Sequence, residues 1–235
     1  MKERPILFNA PMVRAILDGS KTQTRRVVKP QPEWVNENAG CGIATGGGIM
    51  PSPRADWLHW RGSRLLRPEP RCPYGLPGDR LWVRETFAIV PRTAYARSDG
   101  VQQTLRPDDD HDAAIYRAGW DRSNGGFRWR PSIHMPRLAS RILLEIADVR
   151  VEKLQDISED DALGEGIERA TDFPGWYRGP LDGDSDGLAE AGRHFKIPTA
   201  FAKLAFRALW ESINGPDSWA ANPWVWVVAF RRIEP

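Results

Sequence analysis

Gly19-Ser20-Lys21-Thr22-Gln23-Thr24-Arg25-Arg26 is the stretch on which the reading of this chain turns. Before it, Met12, Val13, Ile16 and Leu17 recur at helical spacing, with Asn9 placed to cap the helix and Pro11 in its first turn. Gly19 is expected to stop that helix, and a strand is expected from Arg25 to Lys29. Alternate side chains of an extended segment share a face, so Thr22, Thr24 and Arg26 should point one way, with Lys21 at the mouth of the turn. Such a group of hydroxyls and cations suits anion binding, carbonyl polarisation or activation of a hydroxyl. It equally suits an exposed strand start beside a solvated arginine edge.

Working outward, Ile6-Leu7-Phe8 reads as a short strand. The turn Gly75-Leu76-Pro77-Gly78-Asp79-Arg80 feeds an alternating strand, Leu81 to Phe87. Its period puts Leu81, Val83, Glu85 and Phe87 on one face and Trp82, Arg84 and Thr86 on the other. Glu85 therefore sits among apolar neighbours and needs a pocket or a buried cation. Ala114 to Arg117 and Ser140 to Leu154 also read as strands. Ser158-Glu159-Asp160-Asp161 opens a helix whose acidic first turn suits the helix dipole. Thr199 is expected to cap a helix striped by Phe201, Leu204, Ala205, Ala208 and Leu209, ended by Asn214-Gly215-Pro216. Pro223 to Phe230 is a strong final strand. Residues 30–74, 91–112 and 172–197, rich in Gly, Pro or acidic side chains, read as insertions into a single domain spanning 1–235. Strands outnumber helices, so the expected class is α+β, mostly β, with a barrel-like core and peripheral helices.

The 235 residues, 41% of them hydrophobic, suffice for a sizeable core. No apolar run approaches the ~20 residues that span a bilayer, and the N-terminus lacks a signal-peptide pattern, so a cytoplasmic protein with no membrane partner is expected. Cys41 and Cys72 could pair, but that compartment favours free thiols. The net charge of +2 demands no polyanion. Of the 33 basic residues 27 are arginine, which suits phosphate and base recognition but also follows from a GC-rich genome. The 11 tryptophans divide between core and possible stacking platforms. His59, His111, His134 and His194 show no metal-ligand spacing, and no Walker loop, dinucleotide fingerprint or nucleophile elbow is present, so neither metal nor cofactor is expected.

The order of motifs resembles the ASCH domains of the PUA-like superfamily. It runs from a helix ending in Gly-x-Lys-Thr-x-Thr-x-Arg, through Gly-Asp-x-Leu-x-Val-x-Glu and a strand followed by an acidic helix, to an aromatic C-terminal strand. Ala10-Pro11-Met12-Val13 and the insertions look like the version found in bacteriophages and prophages. The resemblance implies a small PUA-like β-barrel, with a cleft between barrel and helices that takes RNA or nucleotides. One branch deacetylates acetylcytidine with a Lys, a Thr and a Glu. Carried over, these roles fall on Lys21, Thr24 and, through the acidic helix, Glu165; by its place on the apolar face of its strand, Glu85 could serve in the place of Glu165. Thr22, Arg26, Trp82, Arg84 and Glu85 would then bind the substrate. The implied partner is a nucleoside, a nucleotide or single-stranded RNA. The implied activity is hydrolysis of an amide on an acylated cytidine; a non-catalytic module for RNA or a modified base, and a ribonuclease for single strands, are the alternatives.

Overall fold

The computed structural model describes residues 1–31, 49–51, 57–59, 72–91, 112–120, 127–169, 176–179 and 201–233. The main sheet is built from β1 (Glu3–Leu7), β2 (Gln23–Val27), β5 (Arg80–Arg84), β8 (Leu143–Lys153) and β11 (Trp224–Ile233). Two-stranded ladders join β3 (Ile49–Pro51) to β4 (Trp57–His59), β6 (Phe87–Pro91) to β7 (Asp112–Tyr116), and β9 (Glu168–Arg169) to β10 (Tyr177–Arg178). The helices are α1 (Ala10–Leu17), α2 (Glu159–Gly164) and α3 (Ala202–Asn214). The chain is therefore α+β with a majority of strands.

Strand order in the main sheet is β1-β5-β8-β11-β2. β1 runs parallel to β5, and the other neighbours are antiparallel. The aromatic C-terminal strand sits inside the sheet, pairing β8 on one side and β2 on the other. Its apolar run, Val225 to Val228, is buried to match. The expected barrel does not close among the described residues. The strand expected from Leu81 to Phe87 ends at Arg84, and after Glu85-Thr86 the chain leaves for the separate β6–β7 ladder. The period-two reading of that segment still holds, since Leu81, Val83, Glu85 and Phe87 are all buried.

Local chemistry sets the element ends. The Asn9 side chain accepts from the Met12 N–H and caps α1, while Gly19 takes φ +85° just past its end. Ser158 caps α2 through the Asp161 N–H. The first turn of α3 is satisfied from a distance: Glu159 Oε2 accepts from the Ala202 and Lys203 N–H groups at 2.6 and 3.3 Å. The expected cap, Thr199, lies outside the described residues. Asp79 ties the Gly75–Asp79 turn to β1, accepting from the Lys2 N–H and from Arg4.

Two apolar clusters flank the sheet. One gathers Ile6, Val13, Ile16, Leu81, Leu144, Trp226 and Phe230 beneath α1. The other gathers Leu154, Ile157, Phe206, Leu209, Trp210 and Val227 beneath α2 and α3. In α1 the buried side is Pro11, Val13, Ala15 and Ile16; Leu17 is exposed rather than packed. Of the expected insertions, 32–48, 52–56, 60–71, 92–111, 172–175 and 180–197 lie outside the described residues, and Cys41 with them. Cys72 is a buried free thiol. No helix among the described residues is long and apolar enough to cross a membrane.

Candidate functional site

The Gly19–Arg26 segment carries its chemistry on two faces. Lys21, Gln23 and Arg25 turn toward α2: Lys21 and Arg25 both bind Glu165, and Gln23 and Arg25 both bind Asp161. This odd-numbered face was not singled out by the alternation argument, which followed Thr22, Thr24 and Arg26. A strand with a cation, an amide and a guanidinium at alternate positions is the signal that could have found it, because three buried polar side chains require partners.

Lys21 does not stand at the mouth of a turn. It is 2% exposed and is held between α1 and the end of α2. Its N–H donates to the Ala15 carbonyl and it bridges to Glu165. Its ammonium donates to Glu165 Oε2 at 2.9 Å and to the Glu165 carbonyl at 2.8 Å. Glu165 can reach back in this way because α2 ends there. The next residue, Gly166, takes φ +89° where a Cβ would meet Ala15 at 3.2 Å and Lys21 at 3.3 Å. Only glycine combines that backbone with that approach. Burial pushes the Lys21 pKa below its ordinary value; Glu165 pulls it back up, and the charges of Arg26 and Arg25 lower it further.

Arg25 continues the network. It donates from Nη1 to Glu165 Oε1 at 3.0 Å, from Nε to Glu152 Oε1 at 3.0 Å, and from Nη2 to Asp161 Oδ2 at 3.0 Å. Arg150 closes the far end on Glu152 and Asp161. Burial raises the Asp161 pKa, but Gln23, Arg150 and Arg25 outweigh it and hold the group below its ordinary value. Three cations, Lys21, Arg25 and Arg150, thus face three carboxylates, Glu152, Asp161 and Glu165.

Beside this network opens a cleft of about 320 Å³. One wall is α3, through Phe206, Leu209, Trp210 and Ile213, with Met12 of α1. The polar lining is Thr24, Arg25, Arg26 and Glu165, and Asn9, Thr86, Ser132 and Asn214 complete it. Thr24 is buried but lines this space. Arg26 lies 5.4 Å over the Phe8 ring and donates from Nη2 to the Leu7 carbonyl at 2.7 Å, while its Nε has no partner among the described residues.

The structure therefore brings Thr24, Arg26 and Glu165 to one cleft, with Lys21 directly on Glu165. The remaining sequence candidates lie elsewhere. Thr22 is exposed at the strand start, with its N–H on the Gly164 carbonyl. Trp82 and Arg84 do not line the cleft; Arg84 lies 5.4 Å from the Trp82 ring and donates to the Ile133 carbonyl. Glu85 is buried at 1% exposure and forked by Arg141, at 2.9 Å from Nε and 3.0 Å from Nη2. Arg141 lies 4.1 Å over the Tyr116 ring. Burial raises the Glu85 pKa, and Arg141 opposes it. Of the two outcomes expected for Glu85, a pocket or a cation, the structure shows a partly exposed cation, Arg141, and Glu85 is not part of the cleft lining. The apolar wall Phe206-Leu209-Trp210-Ile213 shares only Leu209 with the stripe expected for this helix, whose Phe201 and Leu204 are exposed while Phe206 and Trp210 are buried.

No family model, no curated protein and no solved structure matches this chain.

Proposed function

We propose that the cleft binds an acylated cytidine-type nucleoside and hydrolyses its amide, as the resemblance to ASCH domains of the PUA-like superfamily implies. The observation that carries this reading is the meeting of Thr24 and Glu165 in one cleft while Lys21 bonds the same Glu165 carboxylate at 2.9 Å. These groups come from β2, the end of α2 and the turn after α1, so their convergence is a tertiary feature. The volume of about 320 Å³ suits a small planar ligand, which the apolar wall of α3 would cover.

The chemistry balances with one shuttled proton. Thr24 Oγ1 adds to the acyl carbonyl carbon while its proton passes to the Lys21 amine. The C–N bond breaks as Lys21 delivers that proton to the leaving exocyclic nitrogen. Water then adds to the Thr24 ester, its proton travels by Lys21 to Oγ1, and the carboxylic acid leaves. Arg26 faces the oxyanion that develops in each half. Glu165 orients Lys21.

A second reading is a binding cleft without turnover, for RNA or a modified base. It is favoured by one observation: among the described residues no hydrogen bond joins Thr24 to Lys21. Catalytic hydrogen bonds commonly tighten only once substrate is bound. Incubation with N4-acetylcytidine decides between the two. Release of cytidine and acetate, reduced about 10²-fold or more by Thr24→Val with binding retained, supports the enzyme. Binding of the nucleoside without release by the wild-type protein supports the module.

A further inference from the structure

Arg25 is more completely enclosed than a substrate-binding arginine needs to be. Its side chain has no exposed surface, and its three nitrogens are shared among Glu165, Glu152 and Asp161. Its guanidinium carbon lies 5.8 Å over the Phe206 ring, on the helix that walls the cleft. The Glu165 carboxylate is thereby bracketed: Lys21 holds Oε2 at 2.9 Å and Arg25 holds Oε1 at 3.0 Å. Glu165 itself is 3% exposed, so water does little to solvate it.

This bracket has a consequence for Lys21. A lysine that serves as a base must first lose a proton to solvent. Were Lys21 the sole partner of Glu165, that loss would strand a carboxylate in a dry site, which is strongly unfavourable. With Arg25 on the other oxygen, the carboxylate keeps a cation and a hydrogen bond whichever form Lys21 takes. We propose that Arg25 is a positioning residue for the Lys21–Glu165 pair, keeping Glu165 fixed and charge-compensated so that Lys21 can alternate between ammonium and amine. The use of that alternation in turnover rests on the reading of Lys21 as the base; the electrostatic arrangement does not. The charged groups facing Lys21 are Glu165, Arg25 and Arg26. Those facing Arg25 are Glu165, Glu152 and Asp161, with Arg150 behind the last two.

Two variants move the balance in opposite directions. Arg25→Gln removes a positive charge beside Lys21 and leaves Glu165 to Lys21 alone, so Lys21 should hold its proton to higher pH. Glu152→Gln removes an anion from the far side of Arg25, at a position 18% exposed, and should make Lys21 release its proton at lower pH. The reading is an NMR titration of labelled lysine, with Lys21 assigned by its loss in Lys21→Met. An upward shift for Arg25→Gln and a downward shift for Glu152→Gln support the proposal. Midpoints that stay at the wild-type value, or that move the same way in both, overturn it. If Arg25→Gln does not fold, the direction of the Glu152→Gln shift decides alone. Turnover of N4-acetylcytidine is measured on the same proteins. Where it occurs, the acid limb of kcat against pH should follow each midpoint; a loss of kcat with an unmoved limb marks a purely structural role. If the wild type turns nothing over, the catalytic reading fails while the titration still decides the role of Arg25.

Discussion

The Lys21–Glu165 pair should reveal itself as an unequal partnership. Glu165→Gln leaves the Lys21 ammonium, whose side chain has no exposed surface, with the Glu165 main-chain carbonyl and no carboxylate. Breaking a buried ion pair from one side costs about 3–5 kcal/mol. At roughly 2–4 °C per kcal/mol for a chain of this size, that is a fall in Tm of roughly 6–20 °C. Lys21→Met is the milder change, because Glu165 retains Arg25 at 3.0 Å. Its cost is the loss of charged hydrogen bonds, about 1.5–3 kcal/mol. The double variant leaves Arg25 and Arg150 facing Glu152 and Asp161, two charges against two. It should therefore be less destabilised than Glu165→Gln alone, with a coupling energy of about 0.5–3 kcal/mol.

The pH dependence gives an independent check. Burial already places the folded pKa of Lys21 below the unfolded value of 10.5, and losing Glu165 removes the main influence holding it up. Over the window between the folded and unfolded values the unfolded chain binds more protons, so stability must rise with pH. The deficit of Glu165→Gln relative to wild type should thus shrink as pH climbs toward 10.5. Urea melts of the three variants across alkaline pH measure both effects. Additive costs, a Lys21→Met variant as damaged as Glu165→Gln, and a deficit independent of pH would together refute the reasoning.

Gly166→Ala should cost about 1–2 kcal/mol for the left-handed backbone and ~1–3 kcal/mol more for crowding Ala15 and Lys21, read by chemical denaturation. Gly19→Ala, at φ +85° with nothing near its added Cβ, should pay only the first part; equal losses would show that the approach at Gly166 carries no weight. Arg141→Met strips Glu85 of its forked cation and should cost about 3–5 kcal/mol at neutral pH. The folded Glu85 pKa lies above the unfolded 4.5 and would rise further, so the folded state binds the extra proton and stability falls as pH rises through that window. The loss should be smallest near pH 4.5, and a loss that grows on acidification would contradict the assignment.

Periodicity and capping were legible where a segment answers to its own residues. Asn9 and Ser158 cap as their types predict, and the alternation of Leu81, Val83, Glu85 and Phe87 predicts the buried face and the need of Glu85 for a pocket or a cation. Spacing could not show that one ladder ends at Arg84 before Phe87 begins another, because hydrogen-bond partners are set by distant strands. The same limit governs the site. Lys21 and Thr24 are neighbours in sequence, yet the first bonds Glu165 while the second faces the cleft, and no pattern within the segment says which face α2 will cover.

The cleft became legible only through partners far away in the chain. Glu165 is a helix-end residue by sequence, and a solvated one by its composition. It becomes a site residue because Gly166 turns the chain left-handed against Ala15, which seats its carboxylate between Lys21 and Arg25. Arg25 shows the converse. Beside Arg26 it reads as half of a solvated basic edge, but it is buried and three carboxylates consume it. Of the two adjacent arginines only Arg26 has a guanidinium nitrogen without a hydrogen-bond partner among the described residues. Any anionic or carbonyl group entering the cleft should therefore depend on Arg26, while changes at Arg25 act through Glu165. Replacing each in turn separates binding from positioning.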